Sequence, residues 1–125
     1  MKRSFVITMI AGAVCCTVLV PAAVGSSSGS KNNPKQVKVS DNYFSTSRVT
    51  IKKHQYVKFV WSSSNFSRHN VTLVSGPRGV KTRDFKSKTG STGIRFKRKF
   101  SKAGSYHFEC TIHSYVMKMT VVVKR

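Results

Sequence analysis

From Lys35 to the end of the chain, apolar and polar residues alternate in short runs. Val37 and Val39 flank Lys38, and Val49 and Ile51 alternate with Thr50 and Lys52. Val57, Phe59 and Trp61 share one parity, with Lys58 on the other. His69, Val71 and Leu73 alternate with Asn70 and Thr72. Further on, Ile94 and Phe96 interleave with Arg95 and Lys97, and Tyr106, Phe108 and Cys110 with His107 and Glu109. Val121 and Val123 close the pattern. A period of two places successive side chains on opposite faces of an extended chain, so each run predicts a half-buried strand. Ser62-Ser63-Ser64-Asn65, Ser75-Gly76-Pro77, Lys88-Thr89-Gly90-Ser91 and Ala103-Gly104 break the runs with turn-forming residues. Seven or eight short strands separated by turns predict an all-β fold, an antiparallel β-sandwich.

Helical periodicity is absent, apart from room for one turn within Arg78 to Lys86. Arg98 interrupts the alternation. It shares the parity of Ile94 and Phe96, so a regular strand would bury it, and a bulge or an edge position is needed to release it. Trp61 and the phenylalanines are assigned to the core. His107 falls on the parity opposite Cys110 and should point away from it. His54, after Lys52-Lys53, belongs in a solvated turn.

The first 34 residues follow other rules. Met1-Lys2-Arg3 is a short positive start, Phe5 to Val20 is uncharged and mostly apolar, and Pro21-Ala22-Ala23-Val24-Gly25 is built of small residues. This is the three-part layout of a secretory signal peptide over residues 1–25, with cleavage between Ala22 and Gly25. The competing reading, a retained anchor, needs roughly 20 apolar residues and reaches them only through Pro21. Residues 26–34, SSSGSKNNP, have no periodicity and read as a flexible tether. Residues 35–125 then form the folded domain. The protein is expected to be exported, to a periplasm, the extracellular space or a cell surface.

Composition narrows the function. A chain of 125 residues supports one domain, and no internal repeat is present. Its acids are Asp41, Asp84 and Glu109, too few for a hydrolase built on paired carboxylates. Against them stand 23 Lys and Arg, a formal charge of +20. Such a charge keeps a surface solvated, and it also steers the molecule toward acidic partners or anionic cell-surface polymers. An exported domain is not expected to meet nucleic acid. Signal cleavage removes Cys15 and Cys16 and leaves Cys110 alone in an oxidising compartment. One cysteine cannot close an internal disulfide. It is either buried and inert, reactive, paired with another chain, or bound to a metal.

Cys110 is followed by His113 and Met117 in a loop between two strands, and His69 begins a strand far upstream. The loop can turn its three side chains toward one point, and a neighbouring strand can bring His69 there. Two imidazoles, a thiolate and a weak axial thioether are the donor set of a blue-copper electron-transfer site. A zinc hydrolase fits poorly, since a thioether ligand and a closed site do not suit activated water.

At these residues the sequence resembles the cupredoxins, near the plastocyanin, amicyanin and pseudoazurin branch. The resemblance is carried by His69-Asn70-Val71 and by Cys110-x2-His113-x3-Met117, with Ala103-Gly104-Ser105-Tyr106 ahead of it. Asp41-Asn42-Tyr43-Phe44 and Val57-Lys58-Phe59-Val60-Trp61 add to it, so nearly all of Lys35 to Lys124 is covered. The loop spacing is closer to azurin than to plastocyanin or amicyanin, which leaves Met119 as an alternative to Met117. Met117 is the better match, because Lys118 and Thr120 then open the last strand. The resemblance implies a Greek-key sandwich and one copper ion, held by His69, Cys110, His113 and Met117. It also implies that Asn70 sits beside the cysteine as a brace, and that the edge of His113, with Ile112 and Tyr115, forms the electron port.

The function expected on this basis is one-electron transfer between redox partners with acidic surfaces, by a monomer that is not an enzyme. Two alternatives remain at this level: a copper-binding or copper-delivery protein without a redox circuit, and a basic β-sandwich that binds polyanions.

Overall fold

In a computed structural model of the protein, the described residues are 33–125. The signal segment, residues 1–25, and residues 26–32 of the tether lie outside the described residues. Within them the chain forms eight strands: β1 (Lys35–Ser40), β2 (Tyr43–Phe44), β3 (Arg48–Lys52), β4 (Tyr56–Trp61), β5 (Thr72–Ser75), β6 (Arg95–Lys99), β7 (Gly104–Glu109) and β8 (Lys118–Lys124). A 3-10 turn, Thr82–Phe85, occupies the stretch that had room for one. β2 is the one strand too short for periodicity to show.

The strands make two four-stranded sheets, ordered β2-β1-β4-β6 and β3-β8-β7-β5. Both sheets are mixed. β1 pairs with β4, and β3 with β8, in parallel, while the remaining pairs are antiparallel. The crossover explains the first parallel pair. After the β1–β2 hairpin the chain leaves for the second sheet as β3, then returns beside β1 as β4. A parallel neighbour requires such a long connection, and the opposite sheet supplies it.

The inner faces carry the predicted parity. Val37, Val39, Val57, Phe59, Trp61 and Phe96 from the first sheet meet Ile51, Leu73, Tyr106, Phe108, Val121 and Val123 from the second, all buried. Each such side chain contributes about 1.5–3 kcal/mol by leaving water. Phe59 sits at the centre, with ring centroids of Phe44, Phe96 and Phe108 at 6.5, 6.0 and 5.6 Å. Phe66 departs from the core assignment, at 95% exposed.

Arg98 is released by an edge. β6 is the last strand of its sheet, and Arg98 stays in register opposite Val57 without a bulge. Its Nε donates to the carbonyl of Asp84 at 2.8 Å and its Nη1 to that of Lys97 at 3.0 Å. Gly104 opens β7 at φ +134°, where any Cβ would stand 2.6 Å from Cγ of Pro77. Strand directions bring the end of β7, the start of β8, the approach to β5 and the end of β1 to one pole.

Candidate metal centre

The pole is built from two loops. β7 ends at Glu109, so Cys110 is the first residue beyond the sheet. The following chain folds back at once: His113 N–H donates to the Cys110 carbonyl at 3.1 Å, Met117 N–H to the His113 carbonyl at 2.9 Å, and Cys110 N–H to the Met117 carbonyl at 3.1 Å. The x2 and x3 spacings therefore close a small ring of backbone bonds with Cys110, His113 and Met117 at its corners. Met119 lies beyond it, in β8 opposite Phe108, within the hydrocarbon core.

The second loop joins β4 to β5. His69 is held before β5 by a two-way backbone bridge with Gly90. Its carbonyl accepts the indole N–H of Trp61 at 3.2 Å. His69 and Cys110 are fully buried and His113 is half-buried. Cys110 Sγ lies 4.0 Å from Nδ1 of His69 and 3.8 Å from Nδ1 of His113. The three donor atoms fall within 4.8 Å of one another. Two donors about 2.0–2.3 Å from a shared centre, at a trigonal angle, stand about 3.5–4 Å apart, so the set fits one ion. Met117, also fully buried, supplies a thioether at the same pole.

Asp41 completes the environment of His69. It follows β1, and its Oδ1 stands 2.8 Å from Nε2 of His69. The carboxylate also accepts the backbone N–H groups of Phe66 at 2.9 Å and Ser67 at 3.1 Å. The bond from His69 first, and these N–H groups with it, hold the Asp41 pKa down from 3.8 to about 2. An ionised carboxylate can only accept, so Nε2 carries a proton, and in the neutral ring the lone pair falls on Nδ1, on the side of the thiol. The imidazole is thus in the tautomer a metal needs. Sequence reading did not find this role for Asp41.

Asn70 takes the place the resemblance implied. Its backbone N–H points at Cys110 Sγ, 3.5 Å away. Its Oδ1 accepts the Thr111 N–H at 2.9 Å, and its Nδ2 donates to the hydroxyls of Thr111 at 2.7 Å and Thr89 at 3.2 Å. One side chain thereby ties the histidine segment to the cysteine segment. The other histidines stand apart from this cluster. His107 is exposed on the outer face of its sheet, 3.1 Å from the Thr120 hydroxyl, and His54 is exposed in a turn at φ 69°. Around His113, Ile112, Tyr115 and Val116 are exposed, Tyr115 at 95%.

A mixed β-sandwich that gathers two imidazoles, a thiol and a buried thioether at one pole defines a copper-binding protein. Residues 33–124 match the family described as copper binding proteins, plastocyanin/azurin family, and the chain belongs to it. Its metal is copper. None of the curated proteins matches it in sequence. Among solved structures it is similar to the reduced Cu(I) form at pH 4 of a proline-to-glycine mutant of amicyanin, with 24% identity and a TM-score of 0.62 over 74% of this chain and 84% of that one. A second such mutant of amicyanin, oxidised, gives 24% identity and a TM-score of 0.61, over 82% and 90%. A Cu-containing nitrite reductase from Thermus scotoductus SA-01 gives 24% and 0.63, over 74% of this chain but only 23% of the reductase. These likenesses establish the fold.

Proposed function

We propose that the protein is an exported one-electron carrier with a single type 1 copper held by His69, Cys110 and His113, and with Met117 as the axial ligand. The observation that carries this is the convergence of one thiol and two imidazole nitrogens at 3.8 and 4.0 Å, beside a buried methionine whose backbone is bonded to Cys110 and His113. Copper, when bound, supplies a couple between Cu(I) and Cu(II). The residues make that couple fast. Asp41 and the Gly90 bridge fix the ring of His69, while Asn70 and the backbone ring of the Cys110 loop fix the sulfur. Donor positions held this way change little when the charge changes.

Water is kept from the thiol, because His69, Cys110 and Met117 are fully buried. His113 alone of the four is partly exposed. It is the exit for the electron, within an apolar rim of Ile112, Tyr115 and Val116. Met117 is favoured over Met119 because its backbone is bonded to both Cys110 and His113, whereas Met119 belongs to a core pair with Phe108. The basic surface favours brief encounters of a monomer with acidic redox partners. Export follows from the signal layout of residues 1–25.

Voltammetry of the copper-loaded protein tests the reading. A reversible one-electron wave that disappears in Cys110→Ser supports it. Copper that binds but cannot be cycled reversibly would leave a storage or delivery role in its place. Mass measurement of the exported chain checks for a new N-terminus between Ala22 and Gly25.

A further inference from the structure

The outer face of the first sheet and its β6 edge carry a continuous run of basic residues. On the outer face of the first sheet, Lys58 stands directly opposite Lys97 in the β4–β6 pair. Like charges in that position weaken a sheet, and none of the outward residues of β1, β4 and β6 is acidic. Lys97 is steadied by the ring of Tyr56, 4.5 Å from its Nζ. Beside this face, along the free edge of β6, runs an open cleft of about 570 Å³. Lys86 and Lys88 from one segment and Arg95 and Arg98 from β6 line it, together with Ile94 and Phe96. Arg95 belongs both to the cleft and to the outer face, so the two basic surfaces are continuous.

Arg98 is prepared for an anion. Two carbonyls and the Phe96 ring, 4.3 Å from its Cζ, fix the guanidinium. Those bonds use two of its five N–H groups and leave three for a ligand. A side chain already fixed costs little further ordering on binding. The neighbouring acid, Asp84, turns its carboxylate to Arg83 at 4.0 Å and does not line the cleft.

We propose that this cleft and the adjoining face bind a linear polyanion bearing phosphate groups. A concave slot lined by four cations from two segments admits a single polymer strand, whereas a flat bilayer surface cannot reach into it. The row of charge also exceeds what one small phosphate would neutralise. None of the lining residues comes from the Cys110–Met117 loop, so a polymer seated here leaves the edge of His113 uncovered. The protein would then be held at an anionic matrix with its copper pole open.

The test is calorimetric titration of the copper-loaded protein with short-chain inorganic polyphosphate, orthophosphate and phosphatidylglycerol vesicles at several salt concentrations. Polyphosphate should bind and the other two should not. The variant Lys86→Gln/Lys88→Gln should weaken binding by roughly tenfold and lower the slope of log affinity against log salt by about 1.4. Lys52→Gln/Lys124→Gln removes the same charge from a pair at the far end of the second sheet, and should change affinity by less than about twofold. All four lysines are exposed, and an unchanged copper absorption verifies that each variant is folded. Equal losses in the two variants would reduce the effect to net charge and overturn the proposal. So would vesicle binding in place of polymer binding, or no binding at all.

Discussion

Asp41 Oδ1 stands 2.8 Å from Nε2 of His69, across 28 residues of chain. One of only three acids in a strongly basic protein is thus placed on the back of the imidazole that we propose as a copper ligand. The pair fixes the ring, sets its tautomer and makes its free nitrogen a stronger donor. Asp41→Asn should keep the fold, because the amide oxygen can still accept the N–H groups of Ser67 and His69 that face Oδ1, and only the bond from Phe66 to Oδ2 is lost. It should lower Cu(II) affinity by about 10–100-fold, as measured by competition with a chelator, and raise the reduction potential. An affinity equal to that of the parent would limit Asp41 to shaping the loop.

The same carboxylate gives the stability a defined acid dependence. Its folded pKa, about 2, lies below the ordinary 3.8, so the unfolded chain binds its proton first. The contribution is complete above 3.8 and is lost as the pH falls toward 2. In the metal-free protein, Asp41→Asn should melt below the parent at neutral pH, and the gap should close across that acid window. A gap that stays constant to pH 2 would mean the carboxylate gains nothing from its partners.

Two phenylalanines with opposite surroundings make a second contrast. Phe59 is fully buried among three other rings, and Phe66 is almost wholly exposed. Phe59→Ala should cost about 3–5 kcal/mol in denaturant unfolding. Phe66→Ala should stay within about 0.5 kcal/mol of the parent. A comparable loss in both would place Phe66 against a surface that this fold does not give it.

Parity revealed the strands, and it could not reveal their neighbours. Val57, Phe59 and Trp61 declare a buried face by alternation alone, but nothing in that alternation says that β1 will lie beside β4 in parallel. That Cys110 and His113 lie close was legible because both sit in one loop with Met117, where spacing constrains geometry. That His69 joins them was legible as an imidazole opening a strand that could pack alongside, a placement the family resemblance then implied. Asp41 was not, since its role depends on a contact between a hairpin end and a distant strand. The same holds for the cleft, whose walls come from residues 86–88 and from β6. Phe66 misled because its composition suits a core, while its loop, anchored by the Asp41 carboxylate, turns the ring outward.

Asn70 offers a direct probe of the brace between the two ligand segments. Asn70→Ala leaves the Thr111 N–H and hydroxyl without their partner. Unfolding should become easier by about 1–3 kcal/mol, and the copper absorption should shift as the sulfur loses its fixed position. Asn70→Ser, which keeps an acceptor, should recover part of both. A stability loss with an unaltered spectrum would make Asn70 a purely structural residue.

Whether a thiolate and two imidazoles share one copper ion is read in the visible spectrum of the Cu(II)-loaded protein. The parent should show an intense blue thiolate-to-copper band, absent in Cys110→Ser and retained in His107→Ala. A colourless Cu(II) complex, or a band that survives the loss of the Cys110 sulfur, would show that they do not.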